Sequence, residues 1–174
     1  MRLIRRLGPG DVPALLAHLL GLSQIDRRLR FCGAASDSLI RHYCATIDWG
    51  RSLLLGCFSG RNLVGAIHLL WSDPARSDAV EFTLSVDRQE KGKGIGTELL
   101  QRAMNTARSR GVSRLNFVCP AEDEPMQRLA LKMGGRLLTD GVQVDGTIEL
   151  ARPTEMPAFA VAPAKEELRR SGTR

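Results

Sequence analysis

The chain has 174 residues, 43% of them apolar, and a formal net charge of +6. That length suits one domain with a real core, and no apolar run is long enough to cross a bilayer. The positive residues are spread out and aromatics make up only 5%, which leaves no stacking platform and argues against a nucleic-acid partner.

Arg2–Leu7 reads as a first strand and Gly8-Pro9-Gly10 as a turn. The basic start is followed by no signal-peptide core or cleavage site, so the chain reads as cytoplasmic, with no membrane partner. Asp11 caps a first helix with apolar positions Val12, Leu15, Leu16, Leu19 and Leu20, and Gly21 stops it. Ser23–Ala35 reads as polar and irregular. Ser36 or Asp37 caps a second helix to about Ile47. Strands follow at Ser52–Phe58 and Leu63–Trp71, joined by the hairpin signal Ser59-Gly60-Arg61-Asn62. After a turn across Ser72–Asp78, the segment Ala79–Val86 alternates. Val80, Phe82, Leu84 and Val86 take one face; Glu81, Thr83, Ser85 and Asp87 take the other. A helix runs from Ile95 to about Arg110, then Arg114–Cys119 is a strand. Pro125–Met133 is a short helix closed by Gly134-Gly135. Arg136–Leu138 and Thr147–Ala151 are two last strands, linked by the polar Asp140–Gly146. From Arg152 onward, proline and alanine and then charge mark a tail, so residues 1–151 form the expected domain and 152–174 an appendage.

The most informative stretch is Lys91-Gly92-Lys93-Gly94-Ile95-Gly96-Thr97. It follows a strand and opens a helix. Glycines let backbone amides approach a bulky anion, the helix start aims free N–H groups and its positive dipole end at the same point, and two lysines add charge. The pattern predicts a pyrophosphate cradle and a nucleotide-bearing cofactor. It is neither a Walker loop, G-x-x-x-x-G-K-[ST], nor a dinucleotide fingerprint, G-x-G-x-x-G. The four cysteines, Cys32, Cys44, Cys57 and Cys119, show no zinc spacing, and three lie in apolar patterns as buried thiols, so no metal is expected.

With a basic residue at Lys91 and glycines at Gly94 and Gly96, the loop resembles the coenzyme A loop of the GCN5-related N-acetyltransferases, [Arg/Gln]-x-x-Gly-x-[Gly/Ala]. The string Val80-Glu81-Phe82-Thr83-Leu84-Ser85-Val86 before it is similar to the matching stretch of bacterial protein-lysine acetyltransferase domains. The order of elements, βααβββαβαββ, is that of the family, and the resemblance covers Met1 to about Ala151. It implies an α/β (α+β) fold: a mixed central sheet of six to seven strands flanked by about four helices. It also implies acetyl-CoA as cofactor and an amine as acceptor, on a small molecule or a protein lysine, and it allows a homodimer. The cofactor would lie along Leu84, Ser85 and Val86 and on the loop Lys91, Gly92, Lys93, Gly94, Ile95, Gly96 and Thr97. Cys119 and Phe117 would line the other side of its arm, and Asp123 stands where the family has an asparagine.

Acetyl transfer to an amine needs a base for the ammonium proton, donors for the oxyanion and an exit for the thiolate. Glu81 is the candidate base, since it lies five residues before Val86, about 17 Å at strand rise, a length that suits a pantetheine arm. The plainer reading of Glu81 is an exposed residue on a polar strand face. A backbone amide near Leu84 or Val86 would serve the oxyanion. The family's tyrosine on the last helix is replaced by Ala130, and the only tyrosine, Tyr43, reads as structural. His18, His42 and His68 read as partly buried and neutral. Arg30 and Phe31, in the cluster from Arg27, fall where the family's substrate-side loop lies, as substrate contacts or as solvated loop. Two readings stay open: an N-acetyltransferase with direct transfer, and a non-catalytic acyl-CoA-binding domain.

Overall fold

The computed structural model describes residues 2–73 and 77–150. The expected tail, residues 152–174, lies outside the described residues, as does the middle of the turn that holds Pro74. Seven strands form one sheet: β1 Arg2–Arg6, β2 Ser52–Ser59, β3 Asn62–Leu70, β4 Ala79–Val86, β5 Arg114–Pro120, β6 Arg136–Thr139 and β7 Gln143–Glu149. Their spatial order is β1-β2-β3-β4-β5-β7-β6. Every neighbouring pair is antiparallel except β4 and β5, which run parallel because α4 Ile95–Ser109 crosses between them.

Alternation sorts the core onto the two faces of this sheet. From β2, Leu53, Leu55 and Cys57 pack with α4; Leu54 and Phe58 pack with α1 Val12–Gly21 and α3 Asp37–Ala45. The fully buried Leu99, Leu100, Ala103 and Ala107 give α4 its apolar stripe. A final helix, α5 Glu124–Lys132, is capped by Asp123, whose side chain accepts from the Met126 amide.

Ser23–Ala35 is not irregular as expected. It holds a helix, α2 Gln24–Phe31, one of five α-helices among the described residues, in keeping with the expected fold. None of its residues is fully buried, and with Asp26, Arg27, Arg28 and Arg30 among its eight residues it reads as a polar segment. It stands on its ends: Ser23 accepts from the Asp26 amide, Asp26 lies in the first turn, and Arg28 and Arg30 lie in the last turn, as the helix dipole favours. The last strand also starts earlier than expected. Asp140 accepts from the Val142 and Gln143 amides and makes a tight turn, so β7 begins at Gln143.

Candidate active site

The site grows from β4. This strand pairs with β3 along its length, from Glu81 opposite Leu70 to Val86 opposite Gly65. On its other side it pairs with β5 only at Ala79, Val80 and Glu81. Beyond Glu81 the two parallel strands part. The Asp87 amide donates to the Val64 carbonyl. Because N–H directions alternate along a strand, those of Leu84 and Val86 face the gap.

At the end of β4 the chain makes a short 3-10 turn, Arg88–Glu90, and enters the glycine loop. Gly92 and Gly94 have φ of 75° and 83°, a conformation that side chains disfavour, and a Cβ on either would meet nothing within 4 Å. Gly94 is the N-cap of α4 and offers no side chain to the first N–H groups of that 15-residue helix. Those amides and the positive end of the dipole therefore open onto the cavity beside them. Gly96 lies inside the first turn, where a Cβ would touch Leu84 and Leu129 at 3.5 Å.

That cavity, about 510 Å³, is lined by Lys91, Gly92, Gly94, Ile95, Gly96 and Thr97 at one end, by Leu84, Ser85 and Val86 along its floor, and by Asp123 and Arg30. Most of the residues expected to hold a cofactor thus converge. Lys93 does not line the cavity itself but pairs at 3.1 Å with Glu90, which does. Cys119 does not line the cavity; it is 2% exposed in the core, and burial pushes its thiol up to about 12. Carboxylates reach the cavity too. Asp26 pairs with Lys91, and burial raises the Asp123 carboxyl against the pull of the Met126 amide.

A second cleft of about 870 Å³ lies further along the same strand, lined by Glu81, Phe82 and Thr83 from β4 and by Tyr43, His68 and Phe117 around them. Glu81 is exposed and makes no ion pair among the described residues. Arg30 lines both cavities, so it stands over the point where β4 passes from one to the other. Phe31 lines neither; it packs edge-on against Tyr43, ring centroids 5.6 Å apart.

Two polar groups had no signal in sequence beyond their residue types. His18, 4% exposed on α1, has Nε2 at 2.9 Å from Ser85 Oγ, and Nδ1 2.7 Å from Asp87 Oδ1 though out of line for a hydrogen bond. This contact ties α1 to the end of β4 and buries Ser85, which alternation had put on an open polar face. The second group is a chain under the cleft. Arg30 Nη2 donates to Tyr43 Oη at 2.9 Å, Tyr43 Oη is 2.6 Å from His68 Nδ1, and His68 Nε2 is 2.9 Å from Ser52 Oγ. Burial, and then the Arg30 charge, push the His68 imidazole down to about 4, so it is neutral. Arg30 Nε is buried with no partner among the described residues, a spare donor at the seam of the two cavities. Of the histidines, His42 is exposed rather than partly buried.

The model of the acetyltransferase (GNAT) family matches residues 22–135, which span α2 to the end of α5 and include the whole lining of the glycine-loop cavity and the β4 wall of the second cleft. Solved structures share the fold. The GNAT domain of a Streptomyces lividans protein titled PAT superposes with a TM-score of 0.73 at 17% identity, over 84% of this chain and 89% of that one. The Thermoplasma acidophilum PaiA N-acetyltransferase, solved in complex with coenzyme A, gives 0.66 at 18% identity, over 86% and 99%. The Escherichia coli ribosomal-protein-S18-alanine N-acetyltransferase also gives 0.66 at 18%, over 91% and 100%.

Proposed function

The chain belongs to the GNAT acetyltransferase family, and on that premise we propose that it transfers an acetyl group from acetyl-CoA to a primary amine by direct attack, with Glu81 as general base. The observation that carries this is the course of β4. One strand floors the glycine-loop cavity with Leu84–Val86 and the second cleft with Glu81–Thr83. A donor anchored at the loop and an acceptor in the cleft would meet between Thr83 and Leu84, beneath Arg30.

The roles follow from local chemistry. The uncapped start of α4, with Gly92 and Gly94 giving backbone room, would hold the pyrophosphate, and Lys91 would neutralise part of its charge. The free N–H of Leu84 or Val86 would bond the pantetheine arm and the oxyanion formed when the amine attacks. Glu81, unpaired on the wall of the cleft, would take the ammonium proton, directly or through a water. Arg30 and the neighbouring cleft wall would receive the acceptor.

The test is release of free coenzyme A from acetyl-CoA with four amines: a lysine-containing peptide, a free amino acid, spermidine and an aminosugar. Glu81→Gln keeps the shape and removes the proton acceptor. Loss of a general base typically costs about 10²–10⁴-fold, and that loss is expected in kcat at neutral pH with acetyl-CoA affinity nearly unchanged. A loss below about threefold leaves Glu81 a bystander. Tight acetyl-CoA binding with no turnover of any amine favours a non-catalytic acyl-CoA-binding domain instead.

A further inference from the structure

We propose that Tyr43 is the proton donor to the leaving thiolate, held in place by Arg30 and His68. This rests on the acetyl-transfer reading above. The need is chemical: attack by the amine forms a C–N bond and breaks the C–S bond, and the sulfur leaves as an anion unless a proton meets it. Glu81 is a carboxylate assigned the opposite task.

Tyr43 lies on α3 and lines the cleft that holds Glu81, with its hydroxyl between Arg30 and His68. Its neighbour Arg30 lines the cofactor cavity as well, so the hydroxyl is bonded to a residue that touches both compartments. The hydrogen bonds fix what the hydroxyl can do. Arg30 is a donor only, so Tyr43 Oη accepts from it. His68 is neutral and carries one proton on its ring. When Ser52 donates to Nε2, the His68 proton is on Nδ1 and points at Tyr43 Oη. Tyr43 then accepts twice, from Arg30 and from His68, and its own proton is free to face the cleft. A phenolate formed there meets two donors already in place, one of them a cation, and little has to reorganise.

The step balances. The Tyr43 O–H bond breaks and an S–H bond forms on coenzyme A. The phenolate keeps the electron pair and accepts from Arg30 and His68. The proton that the amine gave to Glu81 matches the one Tyr43 gave away, and exchange through water in the open cleft restores both groups after the products leave. His68 and Ser52 are buried, 8% and 4% exposed, and the chain ends at Ser52. They position Tyr43 rather than conduct a proton to the surface.

The sequence offers an unusually direct test, because Tyr43 is the chain's only tyrosine. Growth on 2-fluorotyrosine, 3-fluorotyrosine or a difluorotyrosine changes the acidity of that single phenol with little change in size. Turnover is measured with acetyl-CoA and the fastest of the four amines, across pH. The proposal expects kcat to follow ring acidity in a graded way as fluorine is added. Tyr43→Phe should lower kcat about 10–100-fold, with the acetyl-CoA KM and the melting temperature nearly unchanged. A fluorinated series indistinguishable from the natural protein, or a Tyr43→Phe enzyme within about threefold in kcat, overturns the proposal and leaves the acetyltransferase reading intact. Absence of turnover with any of the amines overturns both.

Discussion

Asp26 is expected to oppose the cofactor it faces. Its carboxylate lines the glycine-loop cavity, its side chain is only 10% exposed, and it pairs with Lys91, which is 42% exposed. Burial alone would raise its pKa, but hydrogen bonds from Lys91 and Ser23 outweigh burial and hold it low, so it is ionised at neutral pH. A pyrophosphate on the loop must share Lys91 with it. With about 7 Å between carboxylate and phosphates, and an effective dielectric of about 40 for this half-open site, repulsion is ~1.2 kcal/mol per phosphate charge. Two such charges, cut to roughly 0.4 of that by a Debye length of about 8 Å, leave ~1 kcal/mol, or roughly fivefold in affinity. Asp26→Asn keeps the size and the Ser23 contact and removes the charge. Calorimetry at physiological salt should show acetyl-CoA bound roughly fivefold more tightly, with the gain nearly gone at about 1 M salt. Stability should move the other way, down by about 0.5–1.5 kcal/mol, as the ion pair and a first-turn acid of α2 are lost. Equal or weaker binding by Asp26→Asn would refute the reasoning, since it would mean that Asp26 holds Lys91 for the phosphate rather than competing for it.

Two further predictions concern stability. The depressed His68 pKa of about 4, below the ordinary value of about 6.5, means that the unfolded chain binds an extra proton between these pH values. The contribution is therefore fully present above pH ~6.5 and is lost progressively toward pH ~4, by about 3 kcal/mol; His68→Gln should flatten that part of a urea-midpoint profile, and a profile of unchanged slope would assign the effect elsewhere. At Gly146 on β7, a Cβ would fall 2.0 Å from Phe117 Cε1. Gly146→Ala should destabilise by about 1–3 kcal/mol or more, and a companion Phe117→Leu change should recover part of that loss; a melting temperature within a degree of the natural protein would show that the ring moves aside freely.

Much of this was legible before any coordinates. Strict alternation over Ala79–Val86 put Glu81 and Ser85 on one face and Leu84 and Val86 on the other, and the glycine spacing put a loop at the strand–helix junction. Both are local signals, carried by residues close in the chain. What escaped was of three kinds. Helix α2 has only eight residues, four of them charged, and buries none fully, so its composition reads as a polar connection although Ile25 and Leu29 stand at helical spacing. Gly146 reads as a turn residue, yet it stands inside a strand because the Phe117 ring fills the space a side chain would need. The Arg30–Tyr43–His68 contact joins residues 13 and 25 positions apart from two helices and a strand, so no spacing rule could report it.

The parting of β4 and β5 has a consequence beyond the chemistry it shelters. A sheet that opens in its middle has an interior edge, with amides at Leu84 and Val86 facing no strand. A ligand with amide groups of its own, laid in that gap, would act as an extra strand and join the two halves of the sheet. Binding of this sort adds to folding stability by mass action, about 2.7 kcal/mol when the free ligand is at a hundred times its dissociation constant. A domain of this size has only about 5–15 kcal/mol in total. Slow hydrogen exchange at Leu84 and Val86 with ligand, and fast exchange without it, would be the molecular trace of that coupling.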